Sequence, residues 1–381
     1  MMGPRIYLDH NATSPLRPEA REAMLAALDV YGNPSSIHNE GRAARAIVES
    51  ARDSVAQIFS VKPSQVYFTS GGTEAANWLL NAPALAGAAL KRLVISPVEH
   101  PCVLRGHGFP HADTHTVPVN ADGSADLEWL DRTLRDMSPC AVAIQAANSE
   151  TGVLQPLGEI AEIARSHDSV FISDAVQAVG RLPEDALHAP DAIFFSAHKF
   201  GGPKGVGAVI LNSRNLTLTP FLRGGGQERR QRSGTENVAG IAGLAAALKT
   251  AVASRDSLAE RLLGLRQTLE TGIRGIAADA AIFGENTPRL PNTTCLAVPG
   301  LSAEMALIAF DLDGVAVSSG SACSSGKVER SHVLEAMGVK PHLCEGAIRV
   351  SAGWNSAGAD IERFLAVLSK LCSHRRGLRA A

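Results

Sequence analysis

The residues best equipped for chemistry lie in Asp191-Ala-Ile-Phe-Phe-Ser-Ala-His-Lys-Phe-Gly-Gly-Pro-Lys-Gly-Val-Gly207. Apolar Ile193, Phe194 and Phe195 predict a short strand covered on both faces. It delivers Ser196, His198 and Lys199 into a turn where Gly201, Gly202, Pro203 and Gly205 forbid a helix. A lysine amine at a strand end attacks an aldehyde once its surroundings lower its pKa, whereas a solvated surface lysine does not. The glycines do not form a nucleotide phosphate loop, because the Walker A spacing and its Ser or Thr after the lysine are missing. Asp174 closes a second apolar run, Val170-Phe-Ile-Ser-Asp174. A buried acid there is the usual partner of a pyridinium nitrogen in a cofactor carried by a lysine.

Further groups stand at the ends of other apolar runs. Val66-Tyr-Phe-Thr69 leads into Ser70-Gly-Gly-Thr-Glu74, with a helix expected from about Ala75. A strand, a glycine turn and a helix N-terminus make an anion site, where Gly71 and Gly72 allow close backbone approach. A simple N-cap by Thr73 explains the same residues. Eight of the ten residues from Ser318 to Lys327 are Ser, Gly or Ala, so the thiol of Cys323 is expected to be exposed and mobile. Cys140 and Cys295 fall inside apolar runs and are expected in the core. Arg349 ends Ala347-Ile-Arg and offers a planar fork for a carboxylate, or an ordinary salt bridge. His107, His111 and His115 have no metal-ligand companions and are expected at the surface.

Ser196-x-His198-Lys199, preceded by Asp174-Ala-Val-Gln177, resembles the class V, fold-type I pyridoxal phosphate enzymes. Tyr7-Leu-Asp-His-Asn-Ala-Thr13, Gly32-Asn-Pro-Ser-Ser36, Thr69-Ser-Gly-Gly-Thr-Glu74 and Gly320-Ser-Ala-Cys-Ser324 narrow the resemblance to the cysteine desulfurases of NifS/IscS type. The motifs follow the family order from residue 7 to Arg349. The resemblance implies that Lys199 carries pyridoxal 5'-phosphate and, once freed, removes the substrate's α-proton. Asp174 would face the ring nitrogen, Gln177 the phenolic oxygen, and His100 the ring itself, with His100 also shuttling protons for the thiols. Gly72, Thr73, Ser196 and His198 would hold the phosphate, Asn148 would contact the cofactor, and Thr235 would reach the phosphate across a homodimer interface. Arg349 and Asn33 would receive L-cysteine. Cys323 would take its sulfur as a persulfide, release alanine, and pass the sulfur to an acceptor or iron–sulfur scaffold protein. No resident metal is implied, although Cys323 could ligate a transferred iron–sulfur cluster. Ser149 departs from the family's usual Asn-Asn-Glu. A selenocysteine lyase and a class V aminotransferase remain alternatives, though a transaminase needs no loop thiol. A non-enzymatic sulfur carrier would need none of Lys199, Asp174, Gln177, His100 or Arg349.

These groups need a scaffold that presents strand ends together. Helical spacing marks 18–28, 40–59, 126–136, 157–165, 236–253 and 257–276, and strands alternate with them, which predicts an α/β fold. A strand is expected over 140–147. The resemblance supplies a mostly parallel seven-strand sheet in a large domain, about 15–254. A smaller α/β domain is expected from 1–14 and 255–381, bearing the Cys323 loop. The chain has 381 residues, 45% hydrophobic and 19% charged, with 36 basic against 38 acidic side chains. That balance points to neither nucleic acid nor a membrane surface. No signal peptide and no membrane-length apolar run is visible, and the scattered cysteines suit a reducing cytoplasm.

Overall fold

The computed structural model describes residues 5–380, apart from 82, 86, 214 and 320–329; of 85 and 374–380 it describes the backbone alone. Seven strands form the central sheet: β1 (Val66–Thr69), β2 (Leu93–Ile95), β3 (Thr114–Thr116), β4 (Ala141–Ala143), β5 (Val170–Asp174), β6 (Ala192–Ser196) and β7 (Gly207–Leu211). Their order is β1-β7-β6-β5-β4-β2-β3. Only β7 runs against its neighbours; the pairs from β6 to β3 are parallel. The mostly parallel seven-strand sheet is therefore present.

Two-sided burial explains why its strands lack an alternating pattern. Ile193 and Phe195 enter one apolar cluster, Ala192 and Phe194 the other, and each is at most 1% exposed. Helices α1 (Pro18–Leu28) and α2 (Asn39–Ile58) cover the first face together with α4 (Leu127–Met137), α5 (Leu157–Ser166) and α6 (Val238–Ala253). Helix α3 (Gly72–Leu79) packs Ala75, Ala76, Trp78 and Leu79 on the other.

A second, fully antiparallel sheet of four strands, in the order β8-β9-β11-β10, comprises β8 (Ala281–Ile282), β9 (Thr293–Ala297), β10 (Ser318–Ser319) and β11 (Ala347–Ser351). Leu262, Leu269 and Ile273 of α7 (Arg255–Ile276), Phe310 of α8 (Ala303–Leu312) and Phe364 of α9 (Gly358–Ala380) close its core. Residues Ile6–Tyr7 pair in parallel with Val315–Ala316, and Asp9 bridges Ser351. Among the described residues no single helix is long and apolar enough to cross a membrane.

Three local expectations are corrected. Helix α3 starts at Gly72, not near Ala75, because Gly71 can serve as its N-cap at φ 152°. The strand expected over 140–147 is a ladder only at 141–143; beyond it Ala147 bridges Leu154. The turn after β6 does contain helix, a single 3-10 turn at Ala197–Lys199, since the glycines begin after it.

Candidate active site

The carboxyl ends of the parallel strands bring the sequence-marked groups together, as expected where strand order reverses in such sheets. Thr69, Gly207 and Ser196 sit opposite one another across β1, β7 and β6. The Ser70–Gly72 turn thus lies beside Ser196, and a Cβ at Gly71 would stand 3.6 Å from its hydroxyl. Gly207 cannot carry a side chain: its Cβ would fall 2.9 Å from Gly71 Cα.

Lys199 points into the N-terminal arm. Its Nζ donates to the carbonyls of Asn11 (2.6 Å) and Ala12 (3.0 Å). Burial, helped by Arg349 and Arg181, lowers its pKa to about 8, against the opposing pull of Asp174 and Asp9. Asp174 is 9% exposed and accepts from Val176 N–H at 2.8 Å; burial pushes its carboxyl up to about 6. His198 Nδ1 lies 3.1 Å from Thr13 Oγ1, and burial with Lys199 nearby brings its pKa down to about 4. His100 keeps an exposed edge, yet the protein around the rest of its ring, with Lys199 and His332 near, also lowers it to about 4. Both imidazoles are therefore neutral bases at pH 7.

Several expected ligands already have protein partners. Asn148, 2% exposed, donates to Val98 O and accepts from Glu150 N–H, Thr151 N–H and the Thr151 hydroxyl. Through these bonds it braces its own loop. Gln177 donates to Asn11 O at 3.0 Å and accepts from Arg181. Arg349 is 6% exposed; Nη2 pairs with Asp9 Oδ1 at 2.7 Å, Nη1 donates to Ser149 O at 3.0 Å, and buried Nε has no partner among the described residues. An incoming carboxylate must share or displace Asp9. At the Ser149 departure, Arg349 and Asn11 both bind the backbone oxygen, a contact that does not depend on the side chain.

No contact among the described residues links Asn33 to Lys199. Its Oδ1 accepts from Ser35 N–H, and the neighbouring Pro34 and Ser35 face Gly226–Arg229 across a cavity of about 500 Å³. Thr235 is exposed, and no contact among the described residues links it to Lys199. The Cys323 assignment lies outside the described residues; Ser319 and Arg330 flank that segment. Cys140 and Cys295 are fully buried, as expected. Cys102 is half-buried with its thiol on the Thr73 hydroxyl, and burial, then Asp174 and Glu99, pushes that thiol far up.

Sequence reasoning missed Asp9, Asn11, Arg181 and Glu99. Asn11 joins Thr293, Asn292, Ser149 and Arg181. Glu99 accepts from Gln145 N–H at 2.7 Å while its other oxygen is buried without a partner among the described residues. Asp9 and Asn11 stood inside a recognised motif; Arg181 had no signal.

An aminotransferase class-V family model matches residues 6–364. The chain belongs to that family. It is 41% identical over 384 residues to a cysteine desulfurase of Cereibacter sphaeroides, covering 98% of this chain and 97% of that protein. It is 38% identical over 377 residues to the cysteine desulfurase IscS of Dictyoglomus turgidum, covering 97% and 95%. Among solved structures, the NifS-like protein of Rickettsia africae superposes with a TM-score of 0.86 at 34% identity, covering 96% and 99%.

Pyridoxal 5'-phosphate is the cofactor of the class-V family. The donor set fits it: a buried amine of lowered pKa, a buried acid near that amine, and glycine backbone opposite a serine hydroxyl. Gly72 and Thr73 begin α3, so their N–H groups lack intrahelical partners and can receive a phosphate with Ser196 and His198.

Proposed function

We propose that this chain is a pyridoxal-phosphate-dependent cysteine desulfurase that takes sulfur from L-cysteine, leaves L-alanine, and holds the sulfur as a persulfide on Cys323. One observation carries this reading: a lysine amine of pKa about 8 sits among Asp174, Asp9 and a buried arginine, a set that suits a zwitterionic amino acid. The names of the full-length relatives support the substrate.

When bound, the cofactor ring supplies an electron sink for charge developing at the substrate's α-carbon. Asp174 holds a proton on the ring nitrogen. Gly72, Thr73, Ser196 and His198 fix the phosphate, and Gln177 the ring's oxygen. Arg349 orients the substrate through its carboxylate. Lys199 would hold the cofactor through its Nζ and would move the substrate's α-proton. His100, neutral at pH 7, takes the proton from a thiol and returns it later. The Cys323 thiolate attacks the substrate sulfur. The S–S bond forms as the Cβ–S bond breaks, and the carbon fragment takes the electron pair and a proton to leave as alanine.

The supply of sulfur to an acceptor or iron–sulfur scaffold protein, the cytoplasmic setting and a homodimer that brings in Thr235 belong to the same proposal. The five described cysteines are free, which suits a reducing compartment. The experiment is a single turnover with one equivalent of L-cysteine. Wild type should gain one sulfur atom on the Cys323 peptide, by intact and peptide mass. Cys323→Ala should still take up the cofactor yet release no alanine above background. Undiminished alanine release, or sulfur on Cys102 or Cys344, would reject Cys323 as the nucleophile.

A further inference from the structure

The turn assigned to the cofactor phosphate contains an acid that ought to repel it. Glu74 lies in the first turn of α3, the helix whose N-terminal N–H groups face the proposed phosphate site. Its Oε2 accepts from Ser70 N–H at 2.8 Å, so the carboxylate is folded back over the same turn. A negative charge there opposes a phosphate dianion at the same helix N-terminus.

Arg232 cancels that charge. Its Nε meets Glu74 Oε1 at 2.8 Å and its Nη2 meets Oε2 at 3.1 Å, a bidentate pair in which both side chains are largely buried. Burial alone would raise the Glu74 carboxyl, but the bonds from Arg232 and Ser70 hold it below the ordinary value, so it stays ionised. The segment supplying Arg232 is pinned to the same strand-and-turn unit a second time. Glu228 Oε2 accepts from Phe68 N–H of β1 at 3.0 Å, and both Glu228 oxygens are gripped at 2.8 Å by Arg52 of α2. Glu228, Arg229 and Arg230 take left-handed backbone angles (φ 43°, 55° and 68°), which non-glycine residues hold only when the surroundings impose them. Arg232 is thus delivered to Glu74 by a rigid anchor.

We propose that Arg232 is a positioning residue for the cofactor phosphate: by neutralising Glu74 it lets the α3 N-terminus accept a dianion. Glu74 in turn fixes the Ser70 amide and so shapes the turn. This inference rests on the phosphate assignment above, and the test separates the two.

Apo-protein of the full chain is prepared as wild type, Arg232→Gln, Glu74→Gln and the double variant. Dissociation constants are measured by equilibrium dialysis for pyridoxal phosphate and for pyridoxal, which lacks the phosphate, and circular dichroism checks the fold. Arg232→Gln should bind pyridoxal phosphate roughly tenfold more weakly or worse, because the unpaired Glu74 charge then opposes the dianion at the same helix N-terminus. Its affinity for pyridoxal should hardly change. Glu74→Gln should bind no more weakly than wild type, since Gln still accepts from Ser70. The double variant should return to within about threefold of wild type, because the repulsive charge has gone with its partner. A double variant as weak as Arg232→Gln, or equal losses for pyridoxal, would overturn the charge-cancelling role. Wild type that binds pyridoxal as tightly as its phosphate would instead overturn the phosphate assignment itself, and the inference with it.

Discussion

At pH 7 the Lys199 amine is mostly protonated, but far less so than an ordinary lysine, because burial and two arginines lower its pKa to about 8. The free amine is the form that attacks an aldehyde, so its fraction rises through pH 8 rather than 10.5. Uptake of pyridoxal phosphate by apo-protein, followed by absorbance, should therefore accelerate with a midpoint near 8; a midpoint at the ordinary 10.5 would contradict the site's geometry. Asp174 makes the opposite case. Its folded pKa, about 6, lies above the ordinary 3.8, so the apo-protein carries a proton there that the unfolded chain has lost. Stability from this group is full at acid pH and is lost as pH rises through 6. Two pK steps correspond to about 3 kcal/mol as an upper bound. Asp174→Asn apo-protein should gain stability over wild type progressively between pH 4 and 6, then level off. Denaturant melts at several pH values check this, and a gain independent of pH would refute it. Lys199 and Asp174 were legible because each closes an apolar run. Arg181 was not: it binds the backbone oxygen of Lys199 and the side chain of Asn11, partners set by tertiary approach alone.

Among the elements, β7 decides how tightly the site is drawn. It runs antiparallel between β1 and β6, and its first residue, Gly207, faces Thr69 on one side and Ser196 on the other. Gly207→Ala would put a methyl 2.5 Å from Phe195 O and 2.9 Å from Gly71 Cα. Backbone cannot yield there without parting the strands that carry the anion turn and the lysine turn. Overpacking of this kind costs about 1–3 kcal/mol. We expect a lower Tm and weaker retention of pyridoxal phosphate on dialysis; a variant that kept both would show the approach to be slack. Strand positions were readable from apolar runs and glycine turns. Element ends were less so: α3 starts three residues early because Gly71 can adopt an angle that propensity does not register. The Arg52–Glu228 anchor was invisible, since an ion pair spanning 176 residues leaves no periodicity.

On the scale of the whole molecule, we propose an apolar patch on and beside α1 as the surface of the homodimer. Tyr31 (85% exposed) and Ile37 (90%) flank the Gly32–Ser36 turn, with Leu25 and Leu28 also open on α1. Light scattering should give twice the 39.9 kDa chain mass. Ile37→Asp should shift the protein toward monomer and loosen the cofactor, because Thr235 would then serve no neighbour; an unchanged mass would move the interface elsewhere. We also propose Ser254 as the boundary between the two bodies, where α6 and α7 meet at 70°. The arm that holds Lys199 carries one last consequence, for the order of synthesis. Asp9 binds Arg349, and Asn11 N–H binds the hydroxyl of Ser351, each contact spanning 340 residues. Residues 9–11 thus complete their contacts only after residues 349–351 have been made. A chain truncated before Arg349 can own every strand of the central sheet and still leave Asp9 without its arginine and Asn11 without the Ser351 hydroxyl, so the arm lies over the lysine turn with part of its bonds missing.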